Sequence, residues 1–226
     1  MSTVSKSHNE HNHDHEHGLY EEFICHFPYG VFSIALGIIL LTFTSMLIDE
    51  TVVDFAYQNL FHMFHYLHIV FAAAGTLLTF FKFSKNIVKG LIIGIISPTI
   101  FCILSDIIVP YLGGWVVGVP MQLHICFYHE LANIGTFLGI GLATGLVLSL
   151  HQRHTDSSAS FARWSHFLHI LLSSLASMFY MVANGFVDWM PQVGLVFVIL
   201  MVAVVLPCTF SDVVVPILFA RSGNKK

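Results

Sequence analysis

The stretch CILSDIIVP at 102–110 carries a thiol, a hydroxyl and a carboxylate, Cys102, Ser105 and Asp106, within about one helical turn. CTFSDVVVP at 208–216 repeats the set as Cys208, Ser211 and Asp212. Residues four apart lie on one helix face, so each stretch presents a thiol beside a carboxylate. Paired imidazoles accompany them: His65 and His68 in HYLHIV (65–70), His166 and His169 in HFLHIL (166–171). Imidazole and thiolate suit zinc, cobalt, nickel or copper, while carboxylate is a more general ligand. One such element alone says little, because Cys and Ser also serve as small packing residues between membrane helices. Both elements are duplicated together, and that points to a divalent transition metal held by His65, His68, Cys102 and Asp106 in one set and by His166, His169, Cys208 and Asp212 in the other.

Further ligands stand nearby in the sequence. His62, His124, His129 and Glu130 are accessory candidates for the first set, and Cys25 and His26 for the second. The segment SHNEHNHDHEHG (7–18) interleaves His8, His11, His13, His15 and His17 with Asn, Asp and Glu. It is a low-complexity tract with no capacity for a packed core and a high density of metal ligands, and it reads as a chelating tail. His151 and His154 read as solvated loop residues.

The elements that must position these residues are membrane helices. The chain has 226 residues, 56% of them hydrophobic and only 10% charged. Runs of about 20 nearly uncharged residues are long enough to cross the hydrocarbon core as helices. Six spans are expected, at 28–48, 60–81, 87–110, 130–150, 164–185 and 193–219. Residues 1–22 contain no apolar core of the kind a cleavable signal peptide needs. The cysteines, Cys25, Cys102, Cys126 and Cys208, lie in or beside apolar segments and do not resemble a secreted disulfide framework. No basic patch indicates nucleic acid.

Lys82, Lys85 and Lys89 fall between spans two and three, Arg153 and Arg163 between spans four and five, and Arg221, Lys225 and Lys226 after span six. Asp49, Glu50, Asp54 and Asp188 occupy the alternate connections. The positive-inside rule then puts both termini in the cytoplasm. The apolar, Gly- and Pro-containing stretch 111–122 is too short to cross and is expected to lie at the interface or to dip in as a re-entrant loop.

The duplication runs the length of the chain. Ile24 and Cys25 recur as Ile125 and Cys126, HYLHIV as HFLHIL, and CILSDIIVP as CTFSDVVVP, in the same order. The repeat unit holds three spans, residues 24–123 and then 124–220, flanked by the tail 1–23 and a short C-terminal tail 221–226. An odd number of crossings forces the second copy to enter from the opposite face, so an inverted repeat is expected, the plan of many secondary transporters. Pro98 and Pro110 in span three, and Pro207 and Pro216 in span six, are expected to interrupt those helices near a substrate site. Under inversion the first ligand set belongs to the outer leaflet and the second to the inner, giving two separate clusters.

An aspartate near a helix centre costs about 2.5–3.5 kcal/mol on insertion scales and signals function. The expected function is transport of a divalent Zn/Co/Ni-class cation by alternating access, with proton coupling available because ligation displaces protons. The chain resembles, in outline, small polytopic metal-cation transporters with histidine-rich cytoplasmic tails, although it lacks the His-x-x-x-Asp pairs of cation-diffusion facilitators. Two other readings stay open. One is a membrane zinc hydrolase using Glu130 as general base; the other is a haem protein with His65 and His169 as axial ligands. The metal is the transported substrate, no organic cofactor is inferred, and the partners are that cation and the bilayer.

Overall fold

The computed structural model describes residues 19–49, 51–126, 130–152 and 158–222, the side chains of 19–26, 152 and 158–165 excepted. Six helices in it are long and apolar enough to cross a membrane. They are α1 (Leu19–Leu47), α2 (Val53–Phe83), α3 (Ile87–Val116), α4 (Leu131–Gln152), α5 (Ser158–Ala183) and α6 (Met190–Arg221). No strand occurs among the described residues.

Three helices run beyond their apolar windows. α1 begins at Leu19 and α2 at Val53, because Tyr20, Asp54, Gln58 and His62 lower the local hydropathy without opposing the helix. Asp54 in the first turn of α2 also complements the helix dipole. The stretch expected to be a re-entrant loop instead extends α3 through Val116. The chain then turns at Gly118, whose φ of 83° favours a residue without Cβ. The Gln122 amide donates to Asn184 O at 2.9 Å, tying this loop to the end of α5.

The surface is apolar and much of the interior is polar. Phe32, Phe43, Leu47, Val88 and Trp115 face outward. Ser33, Thr76, Ser97, Ser105, Ser173 and Ser177 are buried with the site histidines and aspartates. A water-soluble protein would not expose so many large apolar side chains while enclosing its hydroxyls and carboxylates; a bilayer favours both. The helices α2 and α5 form the inner pair, with α4 and α3 packed on α2 and α1 packed on α5. Gly141 and Gly145 let α4 approach α2 closely: a Cβ at Gly141 would stand 2.6 Å from Val70 O.

The basic helix ends lie together. Lys89 Nζ donates to Phe219 O at 2.5 Å, and the Arg221 guanidinium sits 5.5 Å from the Phe83 ring centroid. The α2–α3 connection and the end of α6 therefore share one end of the bundle, in keeping with the charge pattern.

Candidate metal centre

Both aspartates sit in π turns. The Val109 amide donates to Leu104 O, and the Val215 amide to Phe210 O, each five residues back. The next π acceptors would be the carbonyls of Ser105 and Ser211, but residues 110 and 216 are prolines and have no N–H. Neighbouring helices fill the gap. Ser177 Oγ donates to Ser105 O at 3.0 Å, while Thr76 Oγ1 and Ser97 Oγ donate to Ser211 O at 3.1 and 3.2 Å. Ser177 and Thr76 occupy equivalent places in the two sequence repeats, twelfth in the runs that open at His166 and His65. The interruption thus falls at Asp106 and Asp212, set by Pro110 and Pro216; Pro98 lies inside a regular α-helical segment.

Asp106 is fully buried and fully engaged. Its Oδ2 accepts from His65 Nδ1 at 2.8 Å and from His68 Nδ1 at 2.7 Å. Its Oδ1 accepts from Ser105 Oγ at 2.8 Å and Ser173 Oγ at 2.9 Å. Asp212 repeats part of this scheme, with His169 Nδ1 2.5 Å and His166 Nδ1 3.8 Å from its Oδ2. Ala72 stands where Ser173 stands in the other repeat, and Asp212 Oδ1 and Ser211 Oγ have no hydrogen-bond partner among the described residues. A Cβ at Gly75 would lie 2.7 Å from Asp212 Oδ2, so the absent side chain makes room for that carboxylate.

The aspartates fix the histidine tautomers. With Nδ1–H of His68 and His169 directed to carboxylates, each Nε2 presents a lone pair. Those two nitrogens face each other at 2.9 Å. Two lone pairs at that separation repel unless a proton or a cation lies between them. Cys102 Sγ and Cys208 Sγ each lie 3.7 Å from His68 Nε2. The ligand atoms of His68, His169 and Cys208 all fall within 4.8 Å of one another. Tetrahedral zinc with Zn–N of about 2.0–2.1 Å and Zn–S of about 2.3 Å implies N···N of about 3.3 Å and N···S of about 3.6 Å. The buried group is therefore close to the dimensions of a His/Cys metal site, and it could hold such an ion.

This geometry changes the two-cluster expectation. His68 and His169 come from different repeats and meet in one shared centre. The expected separation into leaflets relied on helix α2 starting near residue 60; with its start at Val53, His68 lies near the helix midpoint, and Cys102 is likewise central in α3. The roles within each set also divide. Asp106 and Asp212 contact the outer nitrogens of the histidines, so they orient ligands, and His65 and His166 lie one turn away from the centre.

Of the accessory residues, Glu130 Oε2 accepts from Tyr66 Oη at 3.0 Å and from Asn133 Nδ2 at 2.5 Å. His62 and His124 bring their ring centroids to 5.8 Å. His129, His154 and the tail residues His8, His11, His13, His15 and His17 lie outside the described residues, as do the side chains of Cys25 and His26. Cys126, which the sequence marks only as a repeat match, is buried beside His62 and His65. Burial pushes its thiol up, but the two imidazoles outweigh that and hold it down at about 7.

Comparison with known protein families, curated proteins and solved structures finds no match for this chain. Fold and site together define an all-helical chain with six potential membrane spans and a buried histidine–cysteine group.

Proposed function

We propose that the protein carries a divalent transition-metal cation of the zinc, cobalt or nickel class across a membrane, as an inverted repeat of three helices with one shared mid-depth site. The observation that carries the reading is the 2.9 Å approach of His68 Nε2 to His169 Nε2, with a thiol from each repeat beside them. A cation bound there is held equally by both halves. Rocking one half against the other would open the site to alternate sides. The crossed packing, α1 of the first repeat on α5 of the second and α4 of the second on α2 of the first, supports a two-fold relation. His68, His169, Cys102 and Cys208 are each 1% exposed, as an occluded intermediate requires. Ligation releases thiol protons, so proton counter-transport is the natural coupling. Both termini lie in the cytoplasm, where the histidine-rich tail concentrates the cation.

The enzymatic alternative is less well supported, because its general base Glu130 is engaged by Tyr66 and Asn133. The haem alternative is also weaker, since His169 meets His68 without room for a porphyrin between them.

Reconstituted in liposomes, the full chain is expected to take up or release Zn²⁺ faster than protein-free vesicles, with acidification coupled to flux. Cys102→Ser combined with Cys208→Ser is expected to reduce the flux at least tenfold. A wild-type rate equal to that of empty vesicles would overturn the proposal.

A further inference from the structure

Three histidines climb α2 at three-residue spacing, His62, His65 and His68, and only the last belongs to the shared centre. The other two face Cys126, which is 1% exposed. His65 Nδ1 donates to Asp106, so its Nε2 carries the lone pair and points away from the centre. The Nε2 atoms of both His62 and His65 are buried and have no hydrogen-bond partner among the described residues. The aspartate that prepares His68 for ligation thus prepares His65 in the same way, toward a different ligand set. Burying two imidazole acceptors without partners costs on the order of 1–3 kcal/mol each, a cost that a bound ion removes.

We propose that Cys126, His62 and His65 form a second site for the same class of divalent cation, a loading site from which the ion passes to His68. The proposal rests on the transport reading above. One thiolate and two imidazoles leave zinc or cobalt an open coordination position, as in sites that exchange ligands, whereas closed four-ligand shells retain the ion. Binding deposits the Cys126 thiol proton in solvent and leaves the metal's oxidation state unchanged. His65 couples the two sites: its Nδ1 shares Asp106 Oδ2 with His68, so an ion on His65 polarises the carboxylate that orients the next ligand.

Cobalt distinguishes this site from the tail, because residues 1–24 contain no cysteine and tail-bound Co²⁺ gives no thiolate charge-transfer absorption. The full chain in detergent is titrated with Co²⁺ alone. With Cys102→Ser and Cys208→Ser together, a thiolate band is expected to persist, to weaken at least tenfold in affinity when His62→Ala is added, and to vanish when Cys126→Ser is added. In the otherwise native chain, Cys126→Ser is expected to remove part of the saturating thiolate absorption. No band in the double variant, a band indifferent to Cys126→Ser, or an unchanged absorption in the single variant would overturn the loading site. The shared centre is judged separately: it fails if Cys126→Ser alone abolishes all thiolate absorption.

Discussion

His68→Ala weakens Zn²⁺ and Co²⁺ binding at the shared centre by on the order of 100-fold. Structural zinc sites with four ligands bind with roughly 10–16 kcal/mol, so one ligand in four corresponds to about 3 kcal/mol. His68 is the ligand whose loss is felt most, because its Nε2 is the atom that His169, Cys102 and Cys208 all approach. His169→Ala is expected to weaken binding less, since it leaves the two His68–thiol approaches intact. Titrating each variant with Co²⁺ and following thiolate charge transfer measures both losses free of the cysteine-less tail. Equal affinity in wild type and His68→Ala would show that the ion binds elsewhere.

Asp106→Ala produces the largest loss of stability. Four side chains converge on this carboxylate, and its removal leaves two imidazole N–H groups and the hydroxyls of Ser105 and Ser173 buried without their acceptor. Breaking a buried ionic pair on one side costs about 3–5 kcal/mol. Asp212→Ala is expected to cost less, because Asp212 has one close partner and an Oδ1 without a hydrogen-bond partner among the described residues. Unfolding of the purified variants in denaturant, followed by tryptophan fluorescence, gives the comparison; a larger loss for Asp212→Ala would contradict the asymmetry. Asp106→Asn separates stability from ligand tuning. It keeps the volume but offers His68 an amide, and such partner changes typically cost 10–100-fold in metal affinity.

Much of the plan was legible in the residues. Long apolar runs gave six helices, and the recurrence of His-x-x-His and Cys-x-x-Ser-Asp singled out the side chains that meet in the interior. Composition could not give helix length past the apolar window. Val53–Leu60 at the start of α2 carries Asp54 and Gln58, and the window scored it as connection, yet nothing in it breaks a helix. That error of about two turns moved His68 from mid-depth toward one face and split one centre into two. The role of the aspartates was hidden for a different reason. Whether a carboxylate binds the ion or the far side of its imidazole depends on the helix packing, here on α2 and α5 lying together. The hydroxyls of Thr76 and Ser177 were legible in retrospect, as polar positions held in register across the repeat and required by prolines that leave a carbonyl without a donor. Cys126 had only its repeat match with Cys25 as a signal.

The central claim is that one cation sits between the two repeats on nitrogen and sulfur. Zinc-edge X-ray absorption on Cys126→Ser protein loaded with one equivalent of Zn²⁺ tests it most directly. The account predicts a mixed shell with nitrogen at about 2.0–2.1 Å and sulfur at about 2.3 Å, and loss of the sulfur contribution when Cys102→Ser and Cys208→Ser are added. A shell of oxygen and nitrogen alone, or sulfur that survives the added substitutions, would contradict it.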